Sequence, residues 1–127
     1  LYKPEGYNSV SPYLVVNGAQ KMIDLLEGIF KAETLRRFGM PDGSVMHAEV
    51  VIGDSVIMIG DSSEQFPPNT HLLHVYVSDV DKTYNKAIAL GCQAIEAPVN
   101  KDGEPDKRGT FKDFAGNIWS VATQVET

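Results

Sequence analysis

The alternation of apolar and polar residues runs through the same order twice. Residues 10–16 (VSPYLVV) are apolar and β-branched and read as a strand, with Pro12 at an edge or near its start. Asn17 is expected to cap a helix over residues 18–30, with Gln20 at the capping-box position. Ala19, Met22, Ile23, Leu26, Ile29 and Phe30 share its apolar face, and Gly28 is a weak point in its last turn. Three strands follow: residues 33–38, then 44–52 after the turn Pro41-Asp42-Gly43, then 55–59 after Gly53-Asp54. In the middle strand Ala48, Val50 and Ile52 face one way, and His47, Glu49 and Val51 the other. The first nine residues read as a mobile lead-in, and residues 60–70 (GDSSEQFPPNT) as the one Ser/Pro-rich connector.

The second round begins with a strand at 71–77, and Ser78 is the expected cap of a helix that Gly91 ends. Val80, Tyr84, Ala87 and Ile88 make that helix's apolar stripe. A short strand at 93–97, a polar loop at 98–109 and a hairpin of 110–114 with 118–122 complete the pattern. The hairpin turns at Ala115-Gly116-Asn117, where glycine supplies a positive φ. In its last strand Ile118, Ser120 and Ala122 lie opposite Trp119, Val121 and Thr123. Val15-Val16-Asn17 align with Tyr76-Val77-Ser78, and Lys21 with Lys82, at an offset of 61. The repeat lies in element order and capping positions rather than in residue identity, and duplication of this kind constrains a whole fold.

Length and composition narrow the function classes. At 127 residues, with 43% hydrophobic and 22% charged residues, the chain is expected to be a single globular domain with its own core. Module one spans about 10–60, the connector 61–69 and module two about 70–123. A net charge of −6 argues against nucleic acid as a partner and suits solubility or a cationic ligand. No apolar run is long enough to span a bilayer and no leader is recognisable, so no membrane partner is expected. The single Cys92 excludes an internal disulfide, fits a reducing, cytoplasmic setting, and has no basic neighbour to make it a nucleophile.

The doubled βαβββ order resembles the vicinal oxygen chelate superfamily of glyoxalases, bleomycin-resistance proteins and extradiol dioxygenases, and more closely its PhnB-like branch. The resemblance is carried by SPYLVVNGAQKMIDLLEGIF, VMHAEVVIGDSVIMIGD, LHVYVSDVD and RGTFKDFAGNIWSVAT, from about Val10 to Thr123. It implies an α+β fold of two βαβββ modules whose curved mixed sheet surrounds a central cavity, and a homodimer. Metal-dependent members of the superfamily hold one divalent ion through four side chains, from the first and last strand of each module. Carried over by spacing, those seats fall on Ser11, Leu72, Ser120 and the neighbourhood of Ile57-Met58-Ile59. Two hydroxyls, a leucine and at best a thioether do not make a site for a hard cation, so no cofactor is expected. The closing turn reads Asp113-Phe114-Ala115-Gly116 where PhnB-like proteins usually have Asp-Pro-Phe-Gly, and Pro105-Asp106-Lys107-Arg108 stands where they often have Gly-Asp-Arg.

Strand parity nominates the ligand-binding residues. Ser11, Tyr13 and Val15 share a face, as do Leu72, His74 and Tyr76; with Ile118, Ser120 and Ala122 they would line the cavity. His47, Glu49 and His74 are the candidates for catalysis, either as general acid–base groups or as ligands of a displaced divalent metal. Groove-lining or structural hydrogen bonding is the plainer role for all three. His71 is expected at the rim or in solvent, Trp119 in the core, and residues 99–108 as a solvated loop or a lid. The main expectation is a metal-free small-molecule binder, for example one that sequesters a drug or toxin. The alternatives are a lyase- or isomerase-type enzyme and a metabolite-sensing module.

Overall fold

Two separate four-stranded sheets form, and each carries one helix. The structure is a computed structural model describing residues 2–125; Leu1, the first residue of the expected lead-in, lies outside them. By its internal contacts the chain divides into two units, one up to Asn69 and one from Thr70. The fold is α+β, with both sheets mixed.

In the first unit β1 (Tyr13–Val16), α1 (Ala19–Phe30), β2 (Glu33–Gly39), β3 (Val45–Ile52) and β4 (Ser55–Asp61) follow in turn. The sheet order is β1-β4-β3-β2, with β1 parallel to β4 and the other pairs antiparallel. Leu14, Val16, Ala48, Val50, Ile57 and Ile59 bury one sheet face against Ala19, Met22, Ile23, Leu26 and Ile29 of α1. Truncating a side chain such as Leu26 here to alanine costs about 2–5 kcal/mol. α1 runs through Gly28 and ends on Lys31, whose φ of 57° places a non-glycine residue in the left-handed region.

The second unit repeats the order with β5 (Leu72–Tyr76), α2 (Val80–Ala89), β6 (Gln93–Val99), β7 (Asp106–Lys112) and β8 (Ile118–Gln124). Its sheet order, β5-β8-β7-β6, matches the first element for element. Phe111, Trp119 and Val121 bury the face under α2, where they meet Val80, Tyr84 and Ala87.

Several boundaries differ from the sequence pattern. β1 starts at Tyr13 rather than residue 10, because Pro12 has no N–H to donate; its carbonyl instead accepts from Met58 N at 3.0 Å. Asn17 does not cap α1: Gly18 occupies the cap, and Asp61 Oδ1 accepts from Gly18 N and Ala19 N. The side chain of Asn17 accepts instead from Ser62 Oγ. Asp79, not Ser78, caps α2, accepting from Lys82 N at 3.1 Å. The polar loop expected at 98–109 shrinks to 100–105, since β6 extends to Val99 and β7 begins at Asp106. β6 is an edge strand with irregular register between Glu96 and Val99, a place where Pro98 does no harm. The lead-in has no regular structure, yet Tyr7 donates to Glu49 and Asn8 accepts from Val56 N at 3.0 Å.

The closing hairpin is held by a buried carboxylate. Asp113 is 4% exposed and accepts from Ala115 N, Asn117 N, Asn117 Nδ2 and Trp119 Nε1. Asn117, fully buried, passes the tie on by accepting from His71 N at the head of β5. Gly116 takes a φ of 93° in between. Asp113→Ala therefore removes this acceptor from the buried Trp119 and Asn117 donors, at about 1–3 kcal/mol for each lost hydrogen bond. Urea unfolding is expected to show a loss of roughly 3 kcal/mol or more; a loss under about 1 kcal/mol would contradict the assignment.

Candidate functional site

The helix-free face of the first sheet collects the polar and aromatic side chains that the core excludes. Tyr13, Met58, Glu49 and Arg36 lie side by side across the four strands, one from each. A register shift between Phe38/His47 and Gly39/Val45 marks a bulge in β3. It turns Val45 inward at 1% exposure and Met46 outward at 58%.

Beside this face the first unit has a concavity of about 710 Å³. Tyr13, Val15, Met40, Met46 and Phe66 supply its apolar and aromatic wall, and Asp42 and Asp61 its acidic groups. The connector contributes through a turn in which Ser63 N donates to Phe66 O and Phe66 N to Ser63 Oγ. Asp61 ties three segments together: Oδ1 accepts from Gly18 N and Ala19 N, and Oδ2 from Val45 N at 2.7 Å. Burial pushes its carboxyl up, but the three N–H groups outweigh burial and hold it below the ordinary aspartate value. Hydrogen bonds from the Ser44 hydroxyl and N–H hold Asp42 low as well. Both acids are therefore ionised at neutral pH.

At the edge of the concavity Tyr13, His47 and Glu49 form a hydrogen-bonded chain. Tyr13 Oη lies 2.8 Å from His47 Nδ1, and His47 Nε2 lies 2.8 Å from Glu49 Oε2. Glu49 is 5% exposed; its Oε1 accepts from Tyr7 Oη at 2.6 Å and has Arg36 Nε at 3.7 Å. Burial raises the Glu49 carboxyl, but hydrogen bonds from Tyr7 and His47 and the charge of Arg36 bring it below its usual value. An ionised Glu49 only accepts, so in the neutral imidazole Nε2 carries the proton and Nδ1 accepts from the Tyr13 hydroxyl. Phe38 stacks near His47, with ring centres 6.3 Å apart.

The remaining candidates divide between the two units. Ser11 lies in the first, outside β1, with its hydroxyl oxygen buried and lacking a hydrogen-bond partner. Leu72, His74, Tyr76, Ile118 and Ser120 share the helix-free face of the second sheet. There Leu72 is 75% and Tyr76 63% exposed; His74 Nδ1 lies 3.0 Å from Ser120 Oγ, and Tyr76 donates to Asp106. His71 is half-buried rather than solvent-facing, because Asn117 draws its backbone into the closing turn. Trp119 is buried as expected. Cys92 is also buried, which pushes its thiol up to about 11 and leaves it a poor nucleophile.

The four metal seats that the resemblance implies do not fit a hard divalent cation. One hydroxyl is buried, a second lies against His74, a leucine occupies the third seat, and Met58 offers only a thioether. Within each unit, among the described residues, no three His, Cys, Asp or Glu side chains gather as ligands.

Sequence reasoning did not find Tyr7, Arg36, Asp61 or the connector wall. Tyr7 sits in a stretch without periodicity, and Asp61 falls within the Ser/Pro-rich stretch 60–70. The available signal is Asp61 itself, an acid two residues beyond the apolar run 56–59.

The glyoxalase/bleomycin resistance protein/dioxygenase superfamily model matches residues 7–121. The chain belongs to this superfamily. An uncharacterized protein of Mycobacterium bovis is 28% identical over 92% of this chain and 84% of its own length. Among solved structures, TioX from Micromonospora sp. ML1 is similar with a TM-score of 0.73, at 18% identity over 92% of this chain and all of its own. TnmS3, an antibiotic binding protein from Streptomyces sp. CB03234, has a TM-score of 0.69 at 18% identity, covering 93% and 99%. FosX, a fosfomycin resistance protein of Listeria monocytogenes, has a TM-score of 0.67 at 17% identity, covering 93% of both chains. At these identities the likeness to the solved structures is one of fold. No helix among the described residues is long and apolar enough to cross a membrane.

Asp61→Asn keeps the side-chain shape but replaces one accepting oxygen with a donor, at a cost of about 1–3 kcal/mol at neutral pH. Because the folded carboxyl titrates below its unfolded value, its contribution is present above the unfolded value. That contribution is lost as pH falls through the folded one. Urea unfolding is thus expected to show wild type and variant converging as pH drops below the ordinary carboxylate range; a constant gap would contradict it.

Proposed function

We propose that this chain binds a small organic molecule, cationic in character, in the concavity of its first unit, without the divalent metal of its metal-dependent relatives. The concavity itself carries the reading. Its size falls within the range of small-ligand pockets, and its wall is mostly thioether, aromatic and aliphatic. Asp42 and Asp61 give it a negative field although most of their oxygens are already hydrogen-bonded within the protein. The unsuitable donor set at the metal seats supports a metal-free site. An antibiotic binding protein among the similar folds supports sequestration of a drug or toxin as the concrete form. Membership of the PhnB-like branch, a cytoplasmic setting and a homodimer belong to the same proposal. The exposed Leu72 and Tyr76 suit contact with a second copy. A metabolite-sensing role would use the same pocket.

An enzymatic reading of lyase or isomerase type draws on a different observation, the Tyr13–His47–Glu49 chain. His74, the third candidate, belongs to the second unit, where its Nδ1 lies 3.0 Å from Ser120 Oγ.

Elemental analysis of the purified protein is expected to find no stoichiometric divalent metal, and Mn²⁺ or Zn²⁺ to leave Tm unchanged. A panel of aromatic cations and their neutral analogues is expected to raise Tm selectively for the cations. Met46→Ala and Phe66→Ala should reduce that shift while leaving the ligand-free Tm intact, since both side chains are largely exposed. A bound metal lost on His47→Ala, or equal shifts in these variants, would sink the reading.

A further inference from the structure

We propose that Tyr13, His47 and Glu49 form a base-activated phenol: His47 takes the Tyr13 proton as the phenolic oxygen attacks an electrophile held in the concavity. The inference rests on the concavity being a small-molecule site and adds a reaction to it.

The order of groups is hydroxyl, imidazole, buried carboxylate, the arrangement that activates a weak oxygen nucleophile. Both contacts are 2.8 Å, and they engage opposite nitrogens of one ring. Glu49 is locked from behind by Tyr7 and Arg36, so it orients the imidazole and stabilises the imidazolium formed when Nδ1 gains the proton. Purely structural pairing of Tyr13 would need only a neutral acceptor; an ionised carboxylate buried behind the ring is what a base requires. Tyr13 both lines the concavity and stands 40% exposed, so a ligand can reach it. Gly60 leaves room for its ring: a Cβ at that position would lie 3.3 Å from Tyr13 Oη and 2.9 Å from Met46 O. At rest the phenol stays protonated, because burial and the Glu49 charge push its pKa up. The proton then leaves to His47 rather than to solvent.

The ligand class is an uncharged or cationic compound with an activated acyl group. The Tyr13 Oη–C bond forms while the phenol proton passes to His47 Nδ1. The bond to the leaving group breaks, and that group departs with the proton. Water, deprotonated by His47, then hydrolyses the aryl ester and restores the phenol. Tyr13 is the nucleophile, His47 the base and Glu49 a positioning residue.

Phenylmethanesulfonyl fluoride tests this on the whole chain, since the Oη–S bond forms, the S–F bond breaks and the proton again goes to His47. Labelling rates of individual tyrosines are read by peptide mass spectrometry at neutral pH. Tyr2, 87% exposed, and Tyr76, 63% exposed with its ring edge-on to His74 but its hydroxyl donating to Asp106 rather than to an imidazole, are the internal references. Tyr13 is expected to label at least about tenfold faster than either. His47→Gln should bring Tyr13 down to the Tyr2 rate, and Glu49→Gln should slow it several-fold with Tyr2 unchanged. If His47→Gln does not fold, Glu49→Gln carries the comparison. Tyr13 labelling no faster than Tyr2, or labelling at the wild-type rate in a folded His47→Gln or Glu49→Gln protein, would overturn the proposal. Cation binding without preferential labelling refutes the activated phenol alone. Preferential labelling without any ligand binding supports the phenol and refutes the binding reading of the pocket.

Discussion

Each module has one helix for the two faces of a four-stranded sheet, and the rest of the structure follows from that shortage. The covered face must be apolar and closely packed, which is why Leu14, Val16, Ala48, Val50 and Ile59 face α1 and Phe111, Trp119 and Val121 face α2. The other face is free to carry residues chosen for something besides packing. With a two-residue period, every strand that helps to build the core also displays an alternate set of side chains. Tyr13, His47, Glu49 and Met58 are that set in the first unit, and Leu72, His74, Tyr76 and Ser120 in the second.

In each module a carboxylate ties separate segments together, half-buried at Asp61 and buried at Asp113. Asp61 gathers the start of α1 and the start of β3, and Asp113 gathers the closing turn and the Trp119 indole. Each replaces water around backbone or side-chain donors that would otherwise be orphaned. Asp61 also stands in the wall of the concavity, so the same charge that fastens the helix sets the field a ligand would meet. Glu49 differs because its partners are side chains: Tyr7, His47 and Arg36 converge on it and fix the direction of the imidazole.

Superfamily membership and element order leave the chemistry open. The positions at which metal-dependent relatives place ligands hold hydroxyls, a leucine and a thioether here, while a histidine and a carboxylate stand together one strand away. Glu49 pairs directly with Met58 across β3 and β4. In the first unit the polar side chains of this face thus stand on β3, beside β4, and hydrogen bonds organise them.

Periodicity along the chain was enough to determine the doubled βαβββ order, the apolar stripes of both helices and the opposite faces of Ala48 and His47. These follow from spacing between near neighbours, and backbone geometry turns spacing directly into a face. Caps and strand ends at Asn17, Ser78 and residue 106 depart from the pattern because a partner distant in sequence, or a neighbour equally able to cap, decides them. The site was legible as a list, with Tyr13, His47 and Glu49 on it, but not as an arrangement. Tyr7 and Asp61 lie in stretches with no period, and they reach Glu49 and Val45 only because the sheet brings residues 42 and 16 positions apart into contact. Which carboxylates stay ionised, which nitrogen of His47 accepts, and where a pocket opens depend on those long-range contacts. Only the tertiary structure could decide them.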